Sequence, residues 1–263
     1  MPFADLEDHR VFYEDTGGDK PVIVFSHGLL MDQTMFAPQV AVLRGAYRCI
    51  SWDERGHGQT GHDPELSPFA YSDPARDLTA LLAQLGVRRA VLVGMSQGGF
   101  LSLRYALLHP ELVRALVLIG TQAGPEDPEQ IVGYRALGEF WIESGPTETL
   151  IDNAERVLLG DGYAGAPVWR EKWWHFSPRL FLECLTVVGE REDLEPRLKE
   201  LRVPALVIHG ADDRAVPMER AEALAQGLGV ALQLVPGAGH AANLTHAEAV
   251  NRLLLDFLAG LPA

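Results

Sequence analysis

Val91-Leu-Val-Gly-Met-Ser-Gln-Gly-Gly-Phe100 reads as a short apolar run, a tight turn centred on Ser96, and the start of a helix. That helix continues through Leu101, Leu103, Tyr105, Ala106 and Leu108. The turn is a G-x-S-x-G pentapeptide running from Gly94 to Gly98. A strand that becomes a helix with no loop between them brings two backbones into close contact, and only a residue without Cβ avoids the clash. The apex residue is driven into a strained backbone conformation that lifts its side chain above the sheet edge. A hydroxyl held there lies at a helix N-terminus, where unpaired N–H groups favour negative charge.

Outward from this turn, apolar runs alternate with helical patterns. Strands are expected at His9–Asp15, opening a hairpin, and at 21–26, 47–52, 90–93, 113–119, 203–209 and 231–235. Pro21-Val-Ile-Val-Phe-Ser26 is apolar without interruption, as a strand buried on both faces requires. Helices are expected near 36–43, over Asp73–Leu85, over Glu219–Leu228 and from about Glu248 to Leu261. This rhythm predicts an α/β fold whose mostly parallel sheet carries helices on both faces. It breaks between Gln122 and Arg202, where helical segments replace buried strands. We expect a core of residues 1–121 and 203–263 and a helical cap insertion of residues 122–202. Trp141, Trp169, Trp173 and Trp174 fall in the insertion. Most of its rings should fasten the cap to the sheet, while a few line an apolar pocket over Ser96. Leu30, Trp141 and Trp173 are the candidates for that wall.

Composition narrows the function classes. The chain has 263 residues, 47% of them hydrophobic, enough for one large domain with an insertion. A net charge of −14 argues against a nucleic-acid partner, whose phosphates it would repel. Cys49 and Cys184, the two cysteines, have no metal-ligand or disulfide spacing and suit small-residue packing. The N-terminal segment shows neither a basic region nor a long apolar core, and no run approaches the roughly 20 residues of a membrane span. A cytoplasmic monomer or homodimer acting on a small molecule is the expectation. There is no Walker or dinucleotide fingerprint and no zinc-ligand cluster, so neither metal nor organic cofactor is implied.

Two later stretches complete the pattern. The final strand ends in Pro236-Gly-Ala-Gly-His240, and the strand before it in Val207-Ile-His-Gly-Ala-Asp-Asp213. With Gly94–Gly98, they give the order Ser, Asp, His, and in this the chain resembles the α/β-hydrolase family of serine hydrolases over nearly its whole length. The resemblance implies a twisted sheet of about eight strands. It also implies a catalytic triad of Ser96, Asp213 and His240. Asp212 and Asp213 are adjacent, and the family spacing G-x-x-D-x-x-x-P, carried by Gly210 and Pro217, selects Asp213. Some relatives place the acid after the strand that precedes the cap, but Gly120-Thr-Gln122 has no carboxylate there. The family's oxyanion hole maps onto the backbone N–H groups of Leu29 and Gln97, with Gly28 allowing close approach. His27, His209, Arg55 and His57 are expected to brace loops.

The implied reaction is hydrolysis of a carboxylic ester through an acyl-enzyme. An enol-lactonase, a C–C bond hydrolase, a cofactor-free perhydrolase, or a small-molecule receptor that retains the triad would share this pattern. Ser96 at the nucleophile position disfavours haloalkane dehalogenases and epoxide hydrolases, which carry aspartate there.

Overall fold

Successive side chains along a strand leave opposite faces of the sheet, and in the central strands both faces are buried. In β3 (Val22–Ser26), Ile23 and Phe25 enter one core while Val24 enters a second. In β5 (Ala90–Met95), Val91, Val93 and Met95 take the first and Leu92 the second. In β6 (Val113–Ile119), Val117 and Ile119 oppose Leu116 and Leu118, and in β7 (Ala205–Gly210) Ile208 opposes Val207. This double burial is why these segments read as unbroken apolar runs.

The computed structural model describes residues 3–62 and 69–262. Met1, Pro2 and Ala263, at the outer ends of the expected core segments, lie outside the described residues. The remaining strands are β1 (Phe3–Asp5), β2 (Arg10–Asp15), β4 (Arg48–Trp52) and β8 (Leu232–Val235). The eight form one sheet in the order β1-β2-β4-β3-β5-β6-β7-β8. β2 runs antiparallel to β1 and to β4, and the other pairings are parallel. The expected opening hairpin forms between β1 and β2. A forked contact from Arg48 to Asp15, at 2.6–3.1 Å, ties β2 to β4.

Helices cover the two faces. On one side α1 (Ala37–Leu43) and α9 (Ala247–Ala259) contribute Leu43, Val250 and Leu254. On the other, α2 (Asp73–Gln84), α3 (Gln97–Leu108) and α8 (Met218–Leu228) contribute Leu78, Leu81, Leu103 and Leu224. Between β6 and β7 the chain runs through α4 (Pro128–Ser144), α5 (Glu148–Leu158), α6 (Ala166–Trp174) and α7 (Pro178–Gly189), with no strand among them. α4 packs on α7, and Trp141, Ile151, Trp169, Trp173, Phe181 and Leu185 extend the first core into these helices. No helix among the described residues is long and apolar enough to cross a membrane.

β5 passes into α3 through Ser96 alone. A Cβ on Gly94 would overlap the Gly98 carbonyl and lie 2.6 Å from Gly99 Cα. A Cβ on Gly98 would overlap the Ser26 carbonyl and lie 2.6 Å from the His27 carbonyl oxygen. These obstacles are main chain and cannot rotate away. Gly98→Ala should therefore cost about 1–3 kcal/mol, the usual range for overpacking, read as a lower urea midpoint at unchanged m.

Candidate active site

Ser96 has φ 53° and ψ −115°, and among the described residues only Leu30, with φ 61°, is another non-glycine at positive φ. Both strained residues sit at the same edge of the sheet, as backbone strain at functional sites often does. Ser96 is held from both sides. Its N–H donates to the Ile119 carbonyl at 2.8 Å, and its carbonyl accepts from Thr121 Oγ1 at 2.7 Å and from the Phe100 N–H at 3.0 Å.

The loop after β3 closes against this turn. The Gly98 N–H donates to the His27 carbonyl at 2.9 Å. A Cβ on Gly28 would lie 3.3 Å from Ser96 Cβ and 2.7 Å from Met95 Sδ, so the Gly28 backbone rests directly on the serine. The N–H groups of Leu29 and Gln97, which flank Ser96 from this loop and from the first residue of α3, have no acceptor among the described residues. His27 is neutral and structural. Burial pushes its pKa down to about 4, its Nδ1–H donates to the Gly28 carbonyl at 2.9 Å, and its Nε2 accepts from the Glu54 N–H at 2.9 Å. The His57 ring packs against it at a tilt of 59°, centroids 4.9 Å apart, and is likewise driven down by burial, to about 3.

His240 and Asp213 come together at the ends of β8 and β7. His240 Nδ1 donates to Asp213 Oδ2 at 2.8 Å, and Asp213 Oδ1 accepts from the N–H groups of Ala215 and Val216 at 2.8 and 3.0 Å. Burial opposes charge on the Asp213 carboxyl, but the His240 ring and these two N–H donors outweigh it and hold its pKa below the usual value. Asp212, its neighbour, is exposed and directs only its backbone N–H inward, to the Ala238 carbonyl. His209, fully buried, brings Nε2 to 3.7 Å from Asp213 Oδ2. The pair reaches the serine's surroundings through Gly120. A Cβ there would lie 3.3 Å from His240 Nδ1 and 3.4 Å from Asp213 Oδ2, and the next residue, Thr121, is the one bonded to Ser96.

Ser96 and His240 line one cavity of about 340 Å³, together with Leu29, Leu30, Gln97 and Trp141. Trp173, expected on this wall, does not line it. Its ring is fully buried behind Leu30, and its Nε1–H donates to the Leu30 carbonyl at 2.8 Å, which ties the insertion to the strained loop. The ring that sequence reasoning missed is Phe181. It packs on Trp141 at 4.3 Å and shares the cavity wall. Its place in α7, on a separate helix from Trp141, leaves no mark in local periodicity. The wall is also less apolar than expected. Arg191 pairs with Glu126 at 2.5 Å and Arg220 with Asp127 at 2.7 Å, and Arg214 stands beside them. Behind the wall lies a second unanticipated contact, from Gln97 Nε2 to the buried Glu54 at 2.8 Å.

Comparisons with known proteins agree with this fold. A family model described as "Alpha/beta hydrolase family" matches residues 23–253. A non-heme haloperoxidase of Rhodococcus erythropolis is 30% identical, over 98% of this chain and 99% of that protein. A 2-hydroxy-6-oxononadienedioate/2-hydroxy-6-oxononatrienedioate hydrolase of Paraburkholderia phymatum is 34% identical, over 95% and 91%. Among solved structures, the enol-lactonase from Burkholderia xenovorans superposes with a TM-score of 0.87 at 28% identity, covering 98% of this chain and all of the other. With its eight-stranded, mostly parallel sheet, its helical layers and its match over most of its length, the chain belongs to the alpha/beta hydrolase family and is a hydrolase of that family.

Proposed function

We propose that this protein is a serine hydrolase that cleaves a small to medium carboxylic ester or lactone through an acyl-enzyme. The observation that carries this reading is the arrangement around one cavity. Ser96 and His240 both face it, His240 is bonded to Asp213, and two N–H groups without an acceptor among the described residues flank the serine. With Nδ1–H committed to Asp213, the His240 lone pair is left on Nε2, the atom that takes the Ser96 proton. Ser96 Oγ attacks the carbonyl carbon, and the oxygen, now negative, is received by the N–H groups of Leu29 and Gln97. His240 returns the proton to the departing alkoxide, leaving the acyl group on Ser96. Water, losing a proton to His240, then attacks the acyl carbon, and His240 returns that proton to Ser96 Oγ as the acid departs. Asp213 stays ionised, as its low pKa requires, and steadies the imidazolium.

Helices α4–α7 serve as the cap in this reading. Trp141 and Phe181 supply an apolar face for the acyl group, and the Arg191–Glu126 and Arg220–Asp127 pairs supply a polar rim. An ester or lactone is favoured because an enol-lactonase is among the structural neighbours and because these two N–H donors suit a carbonyl oxygen.

Turnover of p-nitrophenyl acetate and butyrate tests the reading, and an inert protein that still binds ligand would point to a receptor. Ser96→Ala should remove fluorophosphonate labelling and lower kcat on the order of 10⁶-fold with the thermal midpoint retained. Asp213→Asn should lower kcat by roughly 10⁴-fold, because the amide no longer fixes the Nδ1–H tautomer, while Asp212→Asn leaves turnover essentially unchanged. Equal losses in the two variants would refute the assignment of the acid.

A further inference from the structure

The proposed chemistry leaves several buried acids unused, Asp53, Glu54 and Asp77 among them. Glu54 follows β4 and is fully buried. Its N–H is bonded to His27 Nε2, in the loop that carries Leu29, and its Oε2 accepts from Gln97 Nε2 at 2.8 Å. The other oxygens of this contact, Glu54 Oε1 and Gln97 Oε1, are both buried, and neither has a donor among the described residues. Reversing the Gln97 amide would set its oxygen 2.8 Å from Glu54 Oε2, again two acceptors without a proton between them. A single proton on the carboxyl, directed at the amide oxygen, would satisfy both. The acid O–H then donates to the amide oxygen while the amide N–H donates back, closing a ring of two hydrogen bonds.

We propose that Glu54 is held protonated and clamps the Gln97 side chain in a paired acid–amide contact, making Glu54 a positioning residue for the Gln97 backbone N–H. This rests on the reading that the Gln97 N–H receives the oxyanion.

The surroundings favour the neutral acid. Burial pushes the Glu54 carboxyl up to about 8, and the negative Asp77 on α2 acts in the same direction, outweighing the Gln97 bond. His27 and His57 are held neutral, and burial raises the Tyr71 hydroxyl and the Cys184 thiol far beyond ordinary values. Arg55, next in the chain, is committed to Asp77 and Asp8. Asp53, on the other side, is itself pushed up by burial, to about 7. Among the described residues, the groups acting on Glu54 are Gln97 and Asp77, and neither is a cation. The folded carboxyl holds its proton more tightly than the unfolded one, so the fold loses stability as pH rises from the ordinary glutamate value to about 8 and then levels off. Above that pH a carboxylate faces the Gln97 oxygen, close to where the oxyanion develops, and both effects oppose catalysis.

The test compares wild type, Glu54→Gln, Glu54→Met and Ser96→Ala. In wild type, kcat for p-nitrophenyl butyrate should fall as pH rises through about 8. Glu54→Gln, which can form the same ring as an amide pair, should keep neutral-pH turnover and lose that alkaline fall. Glu54→Met should lower kcat about tenfold with KM little changed, short of the roughly 10²–10³ cost of deleting a donor outright. In infrared spectra at neutral pH, Glu54→Gln should remove a protonated-carboxyl component that wild type and Ser96→Ala retain, apart from the band that Asp53 contributes. An alkaline fall that persists in Glu54→Gln, or an infrared spectrum unchanged by that substitution, overturns the proposal. The infrared band does not depend on turnover, so it decides the state of Glu54 even if Ser96→Ala stays active and the serine mechanism falls.

Discussion

The direct passage of β5 into α3 is the constraint on which the rest of the structure depends. With no residue to spare between strand and helix, Ser96 must take a positive φ. Glycines at 94, 98 and 99 must let main chain lie against main chain or, at Gly99, against Thr121. The same closeness brings the loop after β3 onto the serine through Gly28 and leaves the N–H groups of Leu29 and Gln97 beside it. Strain of this kind costs on the order of 1–3 kcal/mol per residue and persists only where surrounding contacts over-determine it. Here those contacts are the bonds from Thr121 and Phe100 and to Ile119.

A parallel sheet then does the assembling. All strands of a parallel sheet end on one edge, so segments distant in sequence meet there. His27–Leu30 follow β3, Glu54 follows β4, Ser96 follows β5, Thr121 follows β6, Asp213 follows β7 and His240 follows β8. Burial sorts these groups by charge. Asp213 stays anionic because it has an imidazole and two N–H donors, whereas Glu54, with one amide contact, is favoured as the neutral acid. Two carboxyls at one sheet edge thus acquire opposite tendencies from their partners alone.

The helices inserted between β6 and β7 are joined to this edge by the bond from Trp173 to the Leu30 carbonyl and by the continuation of the first core through Trp141 and Phe181. They bring charged pairs as well as rings to the cavity. The cavity over Ser96 is therefore divided, apolar at Trp141 and Phe181 and ionic at Arg191–Glu126 and Arg220–Asp127. Two neutral histidines, His27 and His57, fill the space behind the loop without entering the cavity.

Much of this was decided by local chemistry and is legible in the chain. The G-x-S-x-G turn, the unbroken apolar strands and the gap in rhythm after residue 121 each follow from short-range sterics or from burial of a whole segment. The pairing of His240 with Asp213 was legible through the resemblance to the family, whose spacing selects Asp213 over Asp212. Other features belong to the tertiary structure alone. β2 pairs with β1 and β4 because of where the sheet's edge lies. Phe181, rather than Trp173, faces the cavity because of how α7 packs on α4. The contact between Glu54 and Gln97 spans 43 residues and has meaning only inside a site from which water is excluded. Periodicity records which face of an element is buried. It does not record which buried side chains touch, and the protonation of an acid depends on those contacts.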